Sequence, residues 1–304
     1  MPDRRVAVIV NPIAGAGGRP ELARRRIASA EAALAVREVD GRVLVSEHTD
    51  HAASLARSAV ADGASLVVAW GGDGTINEVA SELAFRDVAF AVIPAGSGNG
   101  LARELGIPFD HARAFAVAFE GAERVIDAGE VEGRLFFNLA GVGLDAQVAH
   151  EFAARGQKRR GFVRYIEIAV RETFAFHSGE YTIVADGVST HTRALVIAIA
   201  NGRQYGNGAL IAPNARIDDG RLELVVVEER SVLTTLAQMP MLLAGRIARL
   251  AGVTMTPVRE VSIVSAGPLK YHLDGEPCIG GTTITARIRP GALRIRVPRP
   301  MEAG

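Results

Sequence analysis

Residues 66–79 read LVVAWGGDGTINEV, and this stretch decides the fold. It opens on an unbroken apolar run from Leu66 to Trp70, passes through Gly71-Gly72-Asp73-Gly74-Thr75, and continues with helical spacing to Leu83. A continuous apolar run bounded by glycine marks a strand buried on both faces, as in a parallel sheet. Glycines let the backbone take positive φ and approach a ligand closely. A helix starting directly behind them offers free N–H groups and a partial positive charge to an anion. An acidic side chain in such a loop repels phosphate unless it faces a divalent cation, so Asp73 is a candidate partner of Mg²⁺ or of metal-bound water. The plainer alternative is a turn without a ligand, with Thr75 as N-cap and Glu78 completing a capping box.

The same pattern extends to both sides. Strand-like runs at 6–10, 42–45 and 90–93 alternate with helical stretches at 21–36, 51–61 and 98–105. This predicts an α/β domain over 1–125, and such sheets bind ligands at the carboxyl ends of their strands. Two more glycine loops stand there, Asn11-Pro12-Ile13-Ala14-Gly15-Ala16-Gly17-Gly18 and Gly96-Ser97-Gly98-Asn99-Gly100. The dinucleotide fingerprint GxGxxG fails in the first, because Gly15 and Gly17 are followed by Pro20 where the last glycine belongs. Three glycine loops on one sheet edge predict a nucleotide site.

Beyond about residue 125 the texture changes. Strand-like pieces at 125–131, 135–139, 181–185, 193–200, 222–227, 261–264, 282–289 and 293–297 are separated by turn residues, with helical candidates at 162–174 and 232–250. This predicts an all-β sandwich domain over 126–304, whose last residues could return to the first domain.

Composition narrows the function classes. The 304-residue chain carries 34 basic and 34 acidic residues, so no global basic field recruits nucleic acid. Its single cysteine, Cys278, excludes an intramolecular disulfide and a cysteine-built zinc site. The apolar stretch 232–253 is broken by Gln238, Pro240, Arg246 and Arg249, which predicts a buried or interfacial helix rather than a span. The expected location is the cytoplasm, with peripheral association at a membrane. With a strand-like run beginning at Val6, no signal peptide is expected ahead of the first strand. Nothing fixes an oligomeric state, and a homodimer stays open.

Six segments then occur in order: NPIAGAGG (11–18), WGGDGTINEV (70–79), IPAGSGNGLARELGIP (93–108), FNLAGVGLDA (137–146), APNARIDDGRLEL (212–224) and HLDGEP (272–277). The series resembles the diacylglycerol kinase catalytic family, which includes bacterial lipid kinases, sphingosine kinases and ceramide kinases. The resemblance implies an amino-terminal nucleotide-binding domain, a carboxyl-terminal β-sandwich and an active site in the cleft between them. It implies ATP on Asn11, Thr49, the 71–77 loop (Gly71, Gly72, Asp73, Gly74, Thr75 and Asn77) and Ser97; Pro12, Gly15, Gly96 and Asn99 complete those loops. It assigns the general base to Glu276, with Asp274 as rival, and a structural Mg²⁺ to Asp219 with the carbonyls of Arg216 and Arg221. Asp127 falls where the family's acidic network is expected.

The chain departs from the family's pattern in two loops. Ala16 stands where many bacterial members carry lysine, with Arg19 a nearby cation, and the usual TxND becomes Ser97-Gly98-Asn99-Gly100. Without the resemblance, Leu273-Asp274-Gly275-Glu276 and Asp218-Asp219-Gly220 read first as ordinary turns. His48 and His51 flank Thr49 and are expected in a loop, and Met239 and Met241 are expected to pack rather than to bind a ligand. Lys158-Arg159-Arg160 ahead of the apolar 162–174 stretch reads either as a dock for anionic headgroups or as a solvated run. The expected activity is transfer of the ATP γ-phosphate to a lipid hydroxyl, with diacylglycerol or a sphingoid-like lipid as acceptor. A soluble nucleotide or NAD kinase and a non-catalytic nucleotide-binding regulator are the alternatives.

Overall fold

The computed structural model describes residues 5–15, 20–96, 98–154, 167–168, 171–172, 178–206, 209–231, 233–234, 237, 241 and 245–299. The chain divides into two compact units, residues 1–126 with 291–304, and residues 127–290.

The first unit follows the order β1 (Val6–Val10), α1 (Pro20–Ala35), β2 (Gly41–Val45), α2 (His51–Ala61), β3 (Leu66–Gly71), α3 (Asp73–Leu83), β4 (Ala89–Pro94), α4 (Gly100–Glu104) and α5 (His111–Glu120). β2, β1, β3 and β4 pair in parallel in that order. β1, β3 and β4 are buried at every residue, which is why their sequences show no polar alternation, whereas edge strand β2 is partly open. Helix α3 buries Ile76, Val79, Ala80 and Leu83, the stripe that sets its face against the sheet. Asp110 caps α5 by accepting the Arg113 N–H at 2.9 Å. Trp70 packs in T-shaped contacts with His111 and Phe115 on α5, with ring centroids 4.8 and 5.3 Å apart.

The chain leaves this unit within β5 (Ala122–Val131). The second unit continues with β6 (Arg134–Phe136), β7 (Leu139–Gly143), α6 (Leu144–Ala154), β8 (Gly179–Ala185), β9 (Val188–Ala200), β10 (Gln204–Gly206), β11 (Ala209–Leu210), β12 (Leu222–Glu228), β13 (Val253–Val258), β14 (Glu260–Ser265), β15 (Lys270–Leu273), β16 (Glu276–Ile279) and β17 (Thr283–Val297). Its strands run β16-β15-β7-β9-β8-β14-β17, every neighbouring pair antiparallel, and β12 joins β13 to β9. Side chains of β9 alternate between two cores, Ile197 and Ile199 in one, Ala198 and Ala200 in the other. This is the expected α/β domain joined to a β-sandwich.

Several expected boundaries need correction. The 135–139 run is two strands, β6 and β7, because the Phe137 and Asn138 amides turn aside to a carboxylate. The 282–289 and 293–297 runs are the single strand β17, which passes through Pro290 and a positive-φ Gly291 where its partner changes from β14 to β4. Helix α3 starts at Asp73, so Thr75 is its third residue and not its cap. Helix α6 has only a weakly amphipathic sequence and was not expected. Much of 162–174 and 232–250 lies outside the described residues, as do Ala16, Ser97, Arg19 and the 158–160 cluster. Among the described residues, no helix is long and apolar enough to cross a membrane.

Candidate functional site

In the first unit the loops after β1, β3 and β4 come together through contacts that only glycine allows. Gly15 (φ 68°) lies so near the third loop that a Cβ would fall 2.0 Å from the Ala95 carbonyl oxygen. A Cβ on Gly96 would fall 2.8 Å from the Gly72 Cα. Asn11 links the first loop to the second. Its Oδ1 accepts the Ile13 N–H at 3.1 Å, and its Nδ2 donates to Thr75 Oγ1 at 2.8 Å. The first bond of α3 runs from Ile76 N–H to Gly72 C=O, and among the described residues nothing accepts the Gly74 and Thr75 amides at the helix terminus.

Asp73 ties the second loop to the third. Its Oδ2 accepts the Asn99 N–H and its Oδ1 the Gly100 N–H, each at 2.8 Å. Both oxygens are therefore engaged with backbone, and the expected metal contact would have to use their remaining lone pairs. Asn99 is fully buried with φ 53°, and its amide closes on the Gly96 backbone at both ends. Asn77 accepts from Ser81 one turn along α3. Pro12 lies in the turn that Asn11 initiates. Thr49 sits on the exposed loop after β2, its carbonyl 2.8 Å from His48 Nδ1, and among the described residues no hydrogen bond joins it to the glycine loops.

One residue escaped the sequence reading. Arg26 on α1 is only 6% exposed, its Nη1 donates to the Asn11 carbonyl at 3.2 Å, and its Nε has no hydrogen-bond partner among the described residues. No carboxylate pairs with it among the described residues, and burial pushes its pKa down. The clue was present, since Arg26, Ala30 and Leu34 recur every four residues on the buried stripe of α1. A lone arginine on an apolar helix face, beside a loop lacking its lysine, is a candidate anion contact.

In the second unit Asp274 and Gly275, with φ 49° and 88°, form the two-residue turn between β15 and β16. Two positive φ values in a row suit an Asp-Gly hairpin of the type I′ kind. The Asp274 carboxylate accepts the N–H groups of Phe137, Asn138 and Leu139 at 2.8, 2.9 and 3.0 Å. Glu276 is different. Its side chain is 49% exposed, and among the described residues it pairs with Arg134 at 4.0 Å.

The 216–221 loop is fastened to Asp127, which is 5% exposed. Asp127 donates its N–H to the Ile217 carbonyl at 2.8 Å and accepts the Gly220 N–H at 2.7 Å. Asp127 thus stands with the candidate metal loop. Asp219 Oδ1 accepts the Arg221 N–H at 3.1 Å, and Oδ2 has no hydrogen-bond partner among the described residues. Burial first, and the Asp219 charge second, push the Glu223 carboxyl above its ordinary value. An open carboxylate oxygen with a second acid nearby fits a hard divalent cation completed by carbonyls. Among the described residues, no three His, Cys, Asp or Glu side chains cluster for a metal.

The fold and these loops define a nucleotide-binding α/β domain of the phosphotransferase kind, followed by a β-sandwich. Residues 5–131 match the diacylglycerol kinase catalytic domain, and residues 138–297 match the YegS C-terminal NAD kinase beta sandwich-like domain. A probable lipid kinase YegS-like from Pseudomonas aeruginosa is 33% identical over 276 residues, covering 88% of this chain and 89% of that protein. A diacylglycerol kinase from Mycobacterium tuberculosis is 30% identical over 303 residues, covering 97% and 96%. The fold is that of a putative diacylglycerol kinase from Bacillus anthracis, with a TM-score of 0.80 at 20% identity over 98% of each chain. The chain belongs to the YegS-like and diacylglycerol kinase family of lipid kinases.

Proposed function

We propose that this protein transfers the γ-phosphate of ATP to a hydroxyl of a lipid, diacylglycerol or sphingoid-like, at a membrane surface. The observation that carries this reading is the meeting of three glycine loops at the carboxyl ends of β1, β3 and β4. There Asp73 locks two loops together, and the first amide donors of α3 have no acceptor among the described residues. Such a surface binds phosphates through backbone N–H groups and a helix terminus. Bound Mg²⁺ would neutralise charge on the phosphates, as phosphoryl transfer requires. Arg26 supports the anion from the first loop, in place of the missing lysine. Glu276, open to solvent, takes the proton of the acceptor hydroxyl, while Asp274 holds the turn. Incubation with γ-labelled ATP and Mg²⁺, offered separately diacylglycerol, phosphatidylglycerol and sphingoid-base vesicles, NAD and nucleoside monophosphates, tests the reading. Label in a lipid product supports it, and label only in NAD or a free nucleotide overturns it.

Two expected results follow for the ions. Arg26→Met removes a buried charge without opening a large hole, so the fold should hold or tighten. The KM for ATP should rise about tenfold, the loss of roughly 1.4 kcal/mol of binding. An unchanged KM would remove Arg26 from the nucleotide site. At the other loop, Mg²⁺ at about 100 times its Kd should stabilise the native state by about 2.7 kcal/mol. That gain, read as a raised melting temperature without nucleotide, should vanish in Asp219→Ala; persistence there would place the ion elsewhere.

A further inference from the structure

The segment 137–146 contributes more than amides to the Asp-Gly-Glu turn. β7 pairs antiparallel with β15, and this register sets His272 opposite Gly141. His272 is 4% exposed and Asp145, in the first turn of α6, is 3% exposed. His272 Nε2 lies 3.3 Å from Asp145 Oδ2, while Asp145 Oδ1 accepts the Ala146 N–H at 2.7 Å. Gly141 makes the space for this pair, since a Cβ there would fall 1.9 Å from Asp145 Oδ2 and 2.6 Å from His272 Nε2. The other ring nitrogen, Nδ1, accepts the Gly275 N–H at 3.2 Å. An Nδ1 that accepts leaves the proton of a neutral ring on Nε2, where it donates to Asp145.

We propose that His272 and Asp145 are positioning residues for the general base. Asp145 fixes the tautomer and angle of the imidazole, the imidazole holds the Gly275 amide, and that amide sets the backbone from which Glu276 projects. The turn is thereby gripped on both sides, by the Asp274 carboxylate on the 137–139 amides and by His272 on Gly275. Packing alone would favour an apolar side chain at 272, because burying a polar pair is unfavourable unless its hydrogen bonds are needed. The inference rests on Glu276 being the base.

Steady-state kinetics on purified full-length variants, normalised to folded protein, test it. His272→Leu should lower kcat about 10- to 100-fold with the KM for ATP within about twofold, the scale of a displaced catalytic group. His272→Asn places Oδ1 where Nδ1 stood, so it can still accept from Gly275 and should recover most of the lost turnover. His272→Gln fills the space better but carries its polar end where Nε2 stood, and should not. A packing role gives the opposite order. If Gln matches or exceeds Asn, the proposal is overturned. It is also overturned if His272→Leu turns over like wild type beside an inactive Glu276→Gln. Wild-type turnover in Glu276→Gln removes the base assignment and takes the proposal with it. Should His272→Leu fail to fold, the ranking of Asn over Gln decides.

Discussion

Glu276→Gln is expected to lower kcat about 100-fold or more while leaving the KM for ATP and the melting temperature close to wild type. Glutamine keeps the reach of the side chain but cannot accept a proton at neutral pH. Because the Glu276 side chain is half-exposed and its ion pair among the described residues is the long one to Arg134 at 4.0 Å, little in the fold depends on its charge. Asp274 should behave in the opposite way. Its oxygens accept three backbone N–H groups, so Asp274→Asn turns an amide NH₂ toward amide donors. Each buried donor left unsatisfied costs about 1–3 kcal/mol, and the variant should melt several degrees lower. The pair of results separates a proton acceptor from a structural carboxylate. A Glu276→Gln enzyme within about threefold of wild type, beside a folded but dead Asp274→Asn, would assign the base to Asp274.

Asp73→Ala is expected to abolish measurable transfer and to raise the KM for ATP. The carboxylate holds the Asn99 and Gly100 amides at 2.8 Å, and without it the second and third loops lose their charged link. The β3–α3 core beneath, with Ile76, Val79, Ala80 and Leu83 buried, does not depend on that link, so circular dichroism should stay native. Asp73→Asn should be similarly damaged, because one end of the amide is a donor facing a donor. Turnover near wild type in either variant would mean that the loops need no carboxylate to hold a nucleotide.

These expectations show where the sequence was legible. Strands buried on both faces must be apolar throughout, so β1, β3 and β4 could be read directly. The glycine loops were visible for a similar reason, since only glycine tolerates such backbone approach. Their mutual contacts were not visible. Gly15 against Ala95 and Gly72 against Gly96 join positions far apart in the chain, and no local pattern records the pairing. The division between β6 and β7 was hidden likewise, because the carboxylate that draws Phe137 and Asn138 aside is Asp274. Asp145 and His272 each read as unremarkable alone; only the pairing of β7 with β15 brings them together.

Strand β17 carries a consequence for biogenesis. Its last residues lie beside β4, with Ile295 opposite Phe90, and the Ala292 carbonyl accepts the Phe85 N–H at 2.7 Å. On the ribosome, β4 emerges long before this neighbour is translated. Until then one flank of a fully apolar strand has no partner from β17, and an unpaired strand flank is a template for aggregation. A fragment ending at residue 126 would keep that flank uncovered permanently, so expressing the nucleotide domain alone should yield inclusion bodies unless residues 291–297 are supplied in trans or fused behind it.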